Sequence, residues 1–292
     1  MSFDISIFSN REKAVIVWFL IFLFFGIFQK NIQSSLLGIL KIIFHKKILY
    51  VIVAMILYVV TIIIIFNKVH IWDNSLMKDT VFWIFGSAFV LVMNVNKASK
   101  DDYYFIKILI DNLKLVVLLE FIVNFYSFSF WIELVFVPVL FMVATLSAVA
   151  ETKKEFAYVK KMMNYVLSLF GMALIVFAVF NIFKDYQSFA NVNNVRAVML
   201  PPLLTGAYMP FLYLFALMMS YETIFVRLDI FLSDHKALAR LIKIETIKAC
   251  NINLKRLNRF SKSMIPDVRN LTDVKMIRTY FRNLKHKQAG IV

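Results

Sequence analysis

Long apolar runs separated by short basic segments are the feature that most restricts how this chain can fold. A run of about 20 apolar residues can cross the hydrocarbon core of a bilayer as one helix. Hydrophobic residues make up 61% of the chain and charged residues 17%, so a soluble fold would leave too much apolar surface in water. The sequence therefore predicts an all-α, polytopic transmembrane helix bundle of about seven spans, of which the first is short and borderline. The seven runs cover roughly residues 14–28, 48–66, 80–96, 106–128, 130–150, 162–183 and 198–225.

The 33 Lys and Arg residues alternate between high and low density from one connection to the next. The first, third and fifth connections between the runs and the C-terminal tail carry four, four, four and fifteen of them. The other connections carry two or none, so 27 of the 33 lie on one side of the predicted bundle. Basic residues are enriched in cytoplasmic loops. The pattern predicts an outside N-terminus and a cytoplasmic C-terminus.

The first basic connection, residues 29–47, has apolar residues at helical spacing. Two interpretations remain open from the sequence. The segment is either an amphipathic helix lying at the cytoplasmic interface or an inward extension of the second span.

The tail is the one part of the chain with a soluble character. We predict two domains, a transmembrane domain over 1–225 and a basic cytoplasmic helical domain over 226–292. The second carries 15 basic and 5 acidic residues. Its cap and breaker residues predict a helix up to about Lys262, a break at 263–266 and a second helix up to about His286. Because this region is too small for a large core of its own, we expect it to pack on the membrane domain or on other subunits.

Basic residues recur at helical spacing along both predicted tail helices. The simpler interpretation is a juxtamembrane surface that holds anionic lipid. The sharper one is a site for a nucleotide or single-stranded nucleic acid, with Phe260, Tyr280 and Phe281 as stacking surfaces. The sequence leaves both open. The candidate ligand-binding residues are Lys248, Lys255, Arg259, Lys262, Lys275, Arg278, Arg282 and Lys285.

One carboxylate lies deep in an apolar run. Glu120 shares a helical face with Asn124 and Ser127 in the fourth run, and Asp111 could extend this face toward the cytoplasm. Carboxylates at membrane depth face protein or water. The polar stripe therefore either lines an ion path that favours cations or forms a polar contact between helices.

Other local features of the spans have simpler explanations. Glu133 and Glu222 lie near span ends, where access to water would be sufficient to explain them. Pro201, Pro202 and Pro210 predict an irregular or kinked outer end of the seventh span.

No catalytic motif is present in the sequence. It contains no Gly-rich phosphate loop, metalloprotease motif or nucleophile elbow. The four His residues have no metal-ligand spacing, and the single cysteine, Cys250, can form neither an intrachain disulfide nor a Cys-rich metal site. We therefore expect no enzyme activity, no metal and no cofactor.

Two stretches resemble a known family. Ser9 to Glu12 running into Val15 to Trp18, and Leu119 to Tyr126, are similar to multi-pass bacterial proteins of phage-defence loci, of the Hailong effector type. The similarity covers mainly the first half of the chain. It implies a homo-oligomeric channel in the bacterial inner membrane beside a nucleotidyltransferase partner. It also implies that a DNA oligomer made by that partner keeps the channel closed, and that loss of the oligomer during infection opens it.

Together these features favour an oligomeric ion channel that acts as a toxic antiviral effector. A symmetric assembly would place one helix of each subunit on the pore axis, with Glu120 in the lining. The expected partners are other copies of the chain, membrane lipid and an oligonucleotide. The alternative is a membrane-anchored scaffold that recruits a protein or nucleic acid through the tail, or a small transporter.

Overall fold

The computed structural model describes residues 8–99, 101, 103–112, 126–185, 187, 191–233, 235–268 and 274–286. Within these residues every regular element is a helix, which confirms the all-α prediction. A short 3-10 turn at Val95–Ser99 follows the fourth helix. The helices are α1 (Asn10–Phe28), α2 (Lys30–Ile43), α3 (Lys46–Lys68), α4 (Asn74–Met93), α5 (Tyr104–Asn112), α6 (Phe130–Glu151), α7 (Ala157–Lys184), α8 (Val192–Phe231), α9 (Lys236–Cys250), α10 (Leu254–Val268) and α11 (Val274–His286).

Five of the described helices are long and apolar enough to cross a membrane: α3, α4, α6, α7 and α8. This confirms the prediction of a transmembrane protein. Helix α1 has 19 residues and begins with a charged first turn at Arg11, Glu12 and Lys13. Much of the fourth predicted run, over 113–125, lies outside the described residues. The total of seven spans and their orientation therefore stay predictions.

The connection between the first two predicted spans forms a helix of its own. Helix α2 ends at Ile43, and α3 begins at Lys46. The two residues between them interrupt the helix. An interfacial helix requires such an interruption, whereas an inward extension of the second span would be one continuous helix.

Helix α8 is continuous through Pro201, Pro202 and Pro210, so an irregular end is wrong, whereas a kink at these prolines stays a prediction. At 1.5 Å per residue its 40 residues extend for about 60 Å, roughly twice the hydrocarbon thickness. Its final turns carry Glu222 and Arg227, both exposed. An irregular turn occurs instead in α4, where Ile84–Ala88 is a π-helix.

The described helices group into two compact units. The first unit comprises Met1–Ala54 and Lys114–Val198. In it α6 packs on both α1 and α7. The indole of Trp18 donates to the Leu134 carbonyl at 2.7 Å, and the Ser147 hydroxyl donates to Asn164 Oδ1 at 2.7 Å. Aromatic rings fill the space between α6 and α7, as in the pair Phe136 and Phe170.

A buried ion pair joins α1 to α6 within the first unit. Glu133 is fully buried, with 0% of its surface exposed. Its Oε1 accepts hydrogen bonds from Arg11 NH2 and from the Phe128 backbone amide, both at 3.0 Å. Arg11 Nε also donates to Oε2 at 3.2 Å. The interpretation that Glu133 meets water at a span end is therefore wrong.

The second unit comprises Met55–Leu113 and Met199–Val292. Its core is built on one stripe of α8, in which buried residues recur every fourth position from Leu200 to Leu212 and continue at Ala216, Ile224 and Leu228. The indole of Trp83 on α4 donates to the Thr205 hydroxyl at 3.0 Å. The tail helices complete the same core through residues such as Ile242, Leu257 and Ile277. The tail thus packs on the long helix rather than forming a core alone.

Candidate ligand-binding site

The predicted basic residues of the tail lie on the solvent side of its helices. Each of the seven whose side chains are described is exposed: Lys248, Lys255, Arg259, Lys262, Lys275, Arg278 and Arg282. Lys285 belongs to the same helix as the last three. The opposite faces of α10 and α11 are buried at Leu257, Phe260, Ile277 and Phe281. The strong segregation of charge follows from the helical period, which separates these two sets of residues.

Few of these charges are neutralised within the described part of the chain. Lys248 Nζ pairs with Glu245 at 3.1 Å. Lys255 Nζ lies 5.9 Å from the centre of the Tyr103 ring. Among the described residues, Arg259, Lys262 and Arg278 have no ion-pair partner. A solvated, unpaired basic face of this kind can bind a polyanion.

The stacking role that the nucleic-acid interpretation gave to Phe260 and Phe281 is wrong. Phe260 is 0% and Phe281 2% exposed, and their ring centroids lie 5.3 Å apart. They therefore join α10 to α11 in the core and cannot stack on a ligand. Tyr280 is half-buried. The basic charges, rather than these rings, form the accessible surface.

The predicted break at 263–266 is wrong, because these residues lie within α10, and the first predicted tail helix is interrupted at 251–253 instead. Helix α9 ends at Cys250, and α10 continues from Leu254 to Val268. At the break Asn251 has φ 45° and ψ −129°. This backbone region suits Gly, and Asn is one of the few other residues that tolerate positive φ. The sequence signal for the break was Asn251 itself.

Two tyrosines of α8 hold this turn. The Tyr213 hydroxyl donates to the Ile252 carbonyl and the Tyr221 hydroxyl to the Asn251 carbonyl, both at 2.7 Å. The Tyr213 oxygen also accepts from the Leu254 backbone amide at 3.2 Å. The two tyrosines are eight residues apart and therefore lie on one face of the helix. They tie the start of α10 directly to a membrane-spanning helix, a role that sequence reasoning missed.

An open groove of about 430 Å³ lies beside the turn. This volume is within the usual range for small-molecule sites, about 300–1,000 Å³. Of the predicted ligand residues, Lys255 lines it, together with Tyr213 and Phe105. At its edge a hydrogen bond from Lys107 holds the pKa of Asp101 below its usual value, with help from the Tyr103 amide. Asp101 is therefore ionised at neutral pH, and the groove offers both signs of charge.

Asn258 fixes α10 to the Val95–Ser99 turn. Its side chain is 6% exposed, and its Nδ2 donates to the Ala98 carbonyl at 3.2 Å. Further along the same region, Arg256 NH1 donates to the Ala249 carbonyl at 2.9 Å. Burial raises the pKa of the Cys250 thiol to about 11, so the thiol remains protonated and unreactive at neutral pH.

Two of the four predicted pore residues lie within the described part of the chain, and two lie outside it. Glu120 and Asn124 lie outside the described residues. Ser127 is half-buried and belongs to the first unit, whereas Asp111 is exposed at the end of α5 in the second. In the described part of the chain no three His, Cys, Asp or Glu side chains are close enough to hold a metal ion.

No family model, curated protein or solved structure matches this chain.

Replacing Tyr213 with Phe is expected to expose the Leu254 amide to hydrogen exchange. That amide donates to the Tyr213 oxygen, and a hydrogen bond worth about 1 kcal/mol corresponds to roughly fivefold faster exchange. Tyr221→Phe is the matched control, because Tyr221 bonds a carbonyl of the same turn and no amide. Exchange mass spectrometry in detergent would measure both. Equal exchange at Leu254 in the two variants would contradict the assigned bond.

Asn251→Gly and Asn251→Val are expected to differ sharply in stability. The exposed Asn251 side chain lies at a backbone conformation that Gly adopts freely and a β-branched residue does not. We expect Gly to change the free energy of unfolding by less than about 0.5 kcal/mol and Val to lower it by about 1–3 kcal/mol. Thermal melting of the two variants would check this, and similar losses in both would refute the backbone argument.

Proposed function

We propose that this chain is a subunit of a homo-oligomeric ion channel that acts as a toxic antiviral effector in the bacterial inner membrane. Its conductance is controlled by a nucleotide or single-stranded nucleic acid on the basic tail. Glu120 contributes to the lining of the ion path. A nucleotidyltransferase partner supplies the ligand, as the family resemblance implies.

The observation that carries this proposal is the tyrosine contact between α8 and the α9–α10 turn. Lys255, Arg259 and Lys262 lie on α10, which begins directly after that turn. If α10 can adopt two placements, a ligand that binds one of them more tightly would shift the equilibrium toward that placement. Tyr213 and Tyr221 are part of α8, so their hydrogen bonds would transmit a movement of α10 to a helix that spans the membrane.

A second argument favours a channel over a scaffold. Anchoring a soluble tail requires one span, whereas this chain has at least five helices suited to crossing a membrane. A scaffold also gains nothing from a carboxylate at membrane depth, which is costly to bury. Glu120 is better explained by contact with water along an ion path.

The direct test is ion flux through proteoliposomes that contain the purified full-length protein. We expect flux that changes when a single-stranded oligonucleotide is added on the side of the tail, and altered ion selectivity in Glu120→Gln. Expression of the chain alone should depolarise cells, and co-expression with a cognate nucleotidyltransferase should relieve or trigger this effect, which gives the direction of gating. A protein that conducts no ions and is harmless on expression with or without the ligand would instead be a scaffold.

A further inference from the structure

The core stripe of α8 is interrupted by one polar position. The buried residues Ala216 and Ile224 lie on either side of Ser220, which is half-buried. A cavity of about 90 Å³ lies in front of it, between α8, the Val95–Ser99 turn and α10. About 10–15 Å³ of such space holds one water molecule, so a tetrahedral anion fits. Its polar lining consists of Asn96, Ser220, Thr223, Arg227, Asn258 and Ser261.

The lining of this cavity is suited to an anion. Arg227 provides its charge, and none of the Asp or Glu residues that the structure describes lines it. Within the described part of the chain, the Arg227 guanidinium has no hydrogen-bond or ion-pair partner. Guanidinium groups and hydroxyls together provide the donors that phosphate oxygens accept.

The three hydroxyl groups that line the cavity differ in whether they are free to donate a hydrogen bond to a ligand. The Thr223 hydroxyl already donates to the Met219 carbonyl at 2.8 Å. Ser220 and Ser261 have no hydrogen-bond partner among the described residues, so both can donate to a ligand. Arg227 and Thr223 are exposed, whereas Asn258 is buried. An anion can therefore enter from the side of Arg227.

We propose that this cavity binds a phosphate group, held by the Arg227 guanidinium and the hydroxyls of Ser220 and Ser261. The inference rests on the proposed function in taking the ligand of the tail to be a phosphate-bearing polyanion. The phosphate is either the terminal group of a nucleotide or oligonucleotide or the head group of an anionic lipid. Occupancy would bridge α8 and α10 directly, beside the contact made by the tyrosines.

The test uses full-length protein in detergent, with inorganic phosphate as the first probe. We expect phosphate to raise the melting temperature of the wild type and of Arg240→Gln, an exposed residue of α9, but not of Arg227→Gln. Ser261→Ala should give a reduced shift and guards against a folding defect in the Arg227 variant. If Arg227 only stabilises the C-terminal end of α8, its replacement lowers the melting temperature and leaves the phosphate-induced shift unchanged.

A second arm separates the sources of the phosphate. A thymidine oligonucleotide with a 5′-phosphate should bind the wild type about tenfold more tightly than the same oligonucleotide without it. The difference should vanish in Arg227→Gln. If the 5′-phosphate does not change the affinity of the wild type for the oligonucleotide, the source of the phosphate is lipid. Phosphatidic acid in nanodiscs should then raise the melting temperature of the wild type more than that of Arg227→Gln.

The outcomes for the two proposals are distinguishable. Binding of the unphosphorylated oligonucleotide tests the basic surface and does not depend on Arg227. If it binds but no phosphate probe distinguishes the wild type from Arg227→Gln, the phosphate site is refuted and the proposed function stands. If it does not bind but inorganic phosphate stabilises the wild type alone, the phosphate site stands and the nucleic-acid ligand is refuted.

Discussion

Arg11→Gln is expected to lower the free energy of unfolding by about 3–5 kcal/mol, because it leaves a fully buried carboxylate without its counter-charge. Glu133 is 0% exposed, and Arg11 makes two hydrogen bonds to it. The Phe128 amide would remain its partner, but one neutral donor compensates a buried charge poorly. Denaturation in mixed detergent micelles would measure the loss.

Two variants make this result specific. Lys13→Gln removes a charge from the same turn of α1, where Lys13 has no ion-pair partner among the described residues, and should change stability by less than about 0.5 kcal/mol. The double replacement Arg11→Met with Glu133→Leu should recover most of the loss, because apolar residues of similar volume can replace a buried pair. A double variant as unstable as Arg11→Gln would show that the pair itself is not the cause.

Replacing Lys255, Arg259 and Lys262 with Gln is expected to weaken binding of single-stranded DNA at low salt by about 100-fold, at roughly 1 kcal/mol per basic residue. All three side chains are exposed on α10. Loss of three phosphate contacts should also reduce the slope of log affinity against log salt by about 2, since each contact to a single strand contributes about 0.7. Fluorescence anisotropy over a salt series would measure both quantities.

The matched control is the triple replacement of Lys153, Lys154 and Lys161 with Gln. It removes the same charge from the connection between α6 and α7 and from the start of α7, outside the tail. We expect it to leave affinity within about threefold, because it leaves every basic residue of α10 in place. An equal loss in both triples would mean that net charge, rather than the α10 surface, determines binding. An affinity independent of salt would refute a polyanion site.

Some of these features were visible in local sequence patterns. The apolar runs predicted the transmembrane helices because lipid requires continuous apolar surface and internal backbone hydrogen bonds. The basic stripes predicted which tail residues are exposed, since a charged side chain on an amphipathic helix stays in water. The nucleic-acid interpretation included Phe260 and Phe281 as stacking surfaces, although the same helical period places them on the opposite face, where they are buried.

Other features depend on partners that are distant in the chain. The burial of Glu133 follows from Arg11, which is 122 residues earlier. The sequence placed the break at 263–266, but a helix can include a proline near its end, and α10 extends two residues beyond Pro266. No local pattern shows that Tyr213 and Tyr221 bond the turn at Asn251.

By itself, the sequence determined that this is a helical membrane protein with a basic tail, because hydrophobicity and charge act on each helix separately. Tertiary structure alone decided that the tail shares a core with α8, that Glu133 is a buried structural anchor, and that Ser220 of α8 and Ser261 of α10 line one cavity. These are pairings between segments far apart in the chain. The energy of these contacts depends on distances and burial in the folded chain, and the periodicity of a single helix carries no information about either.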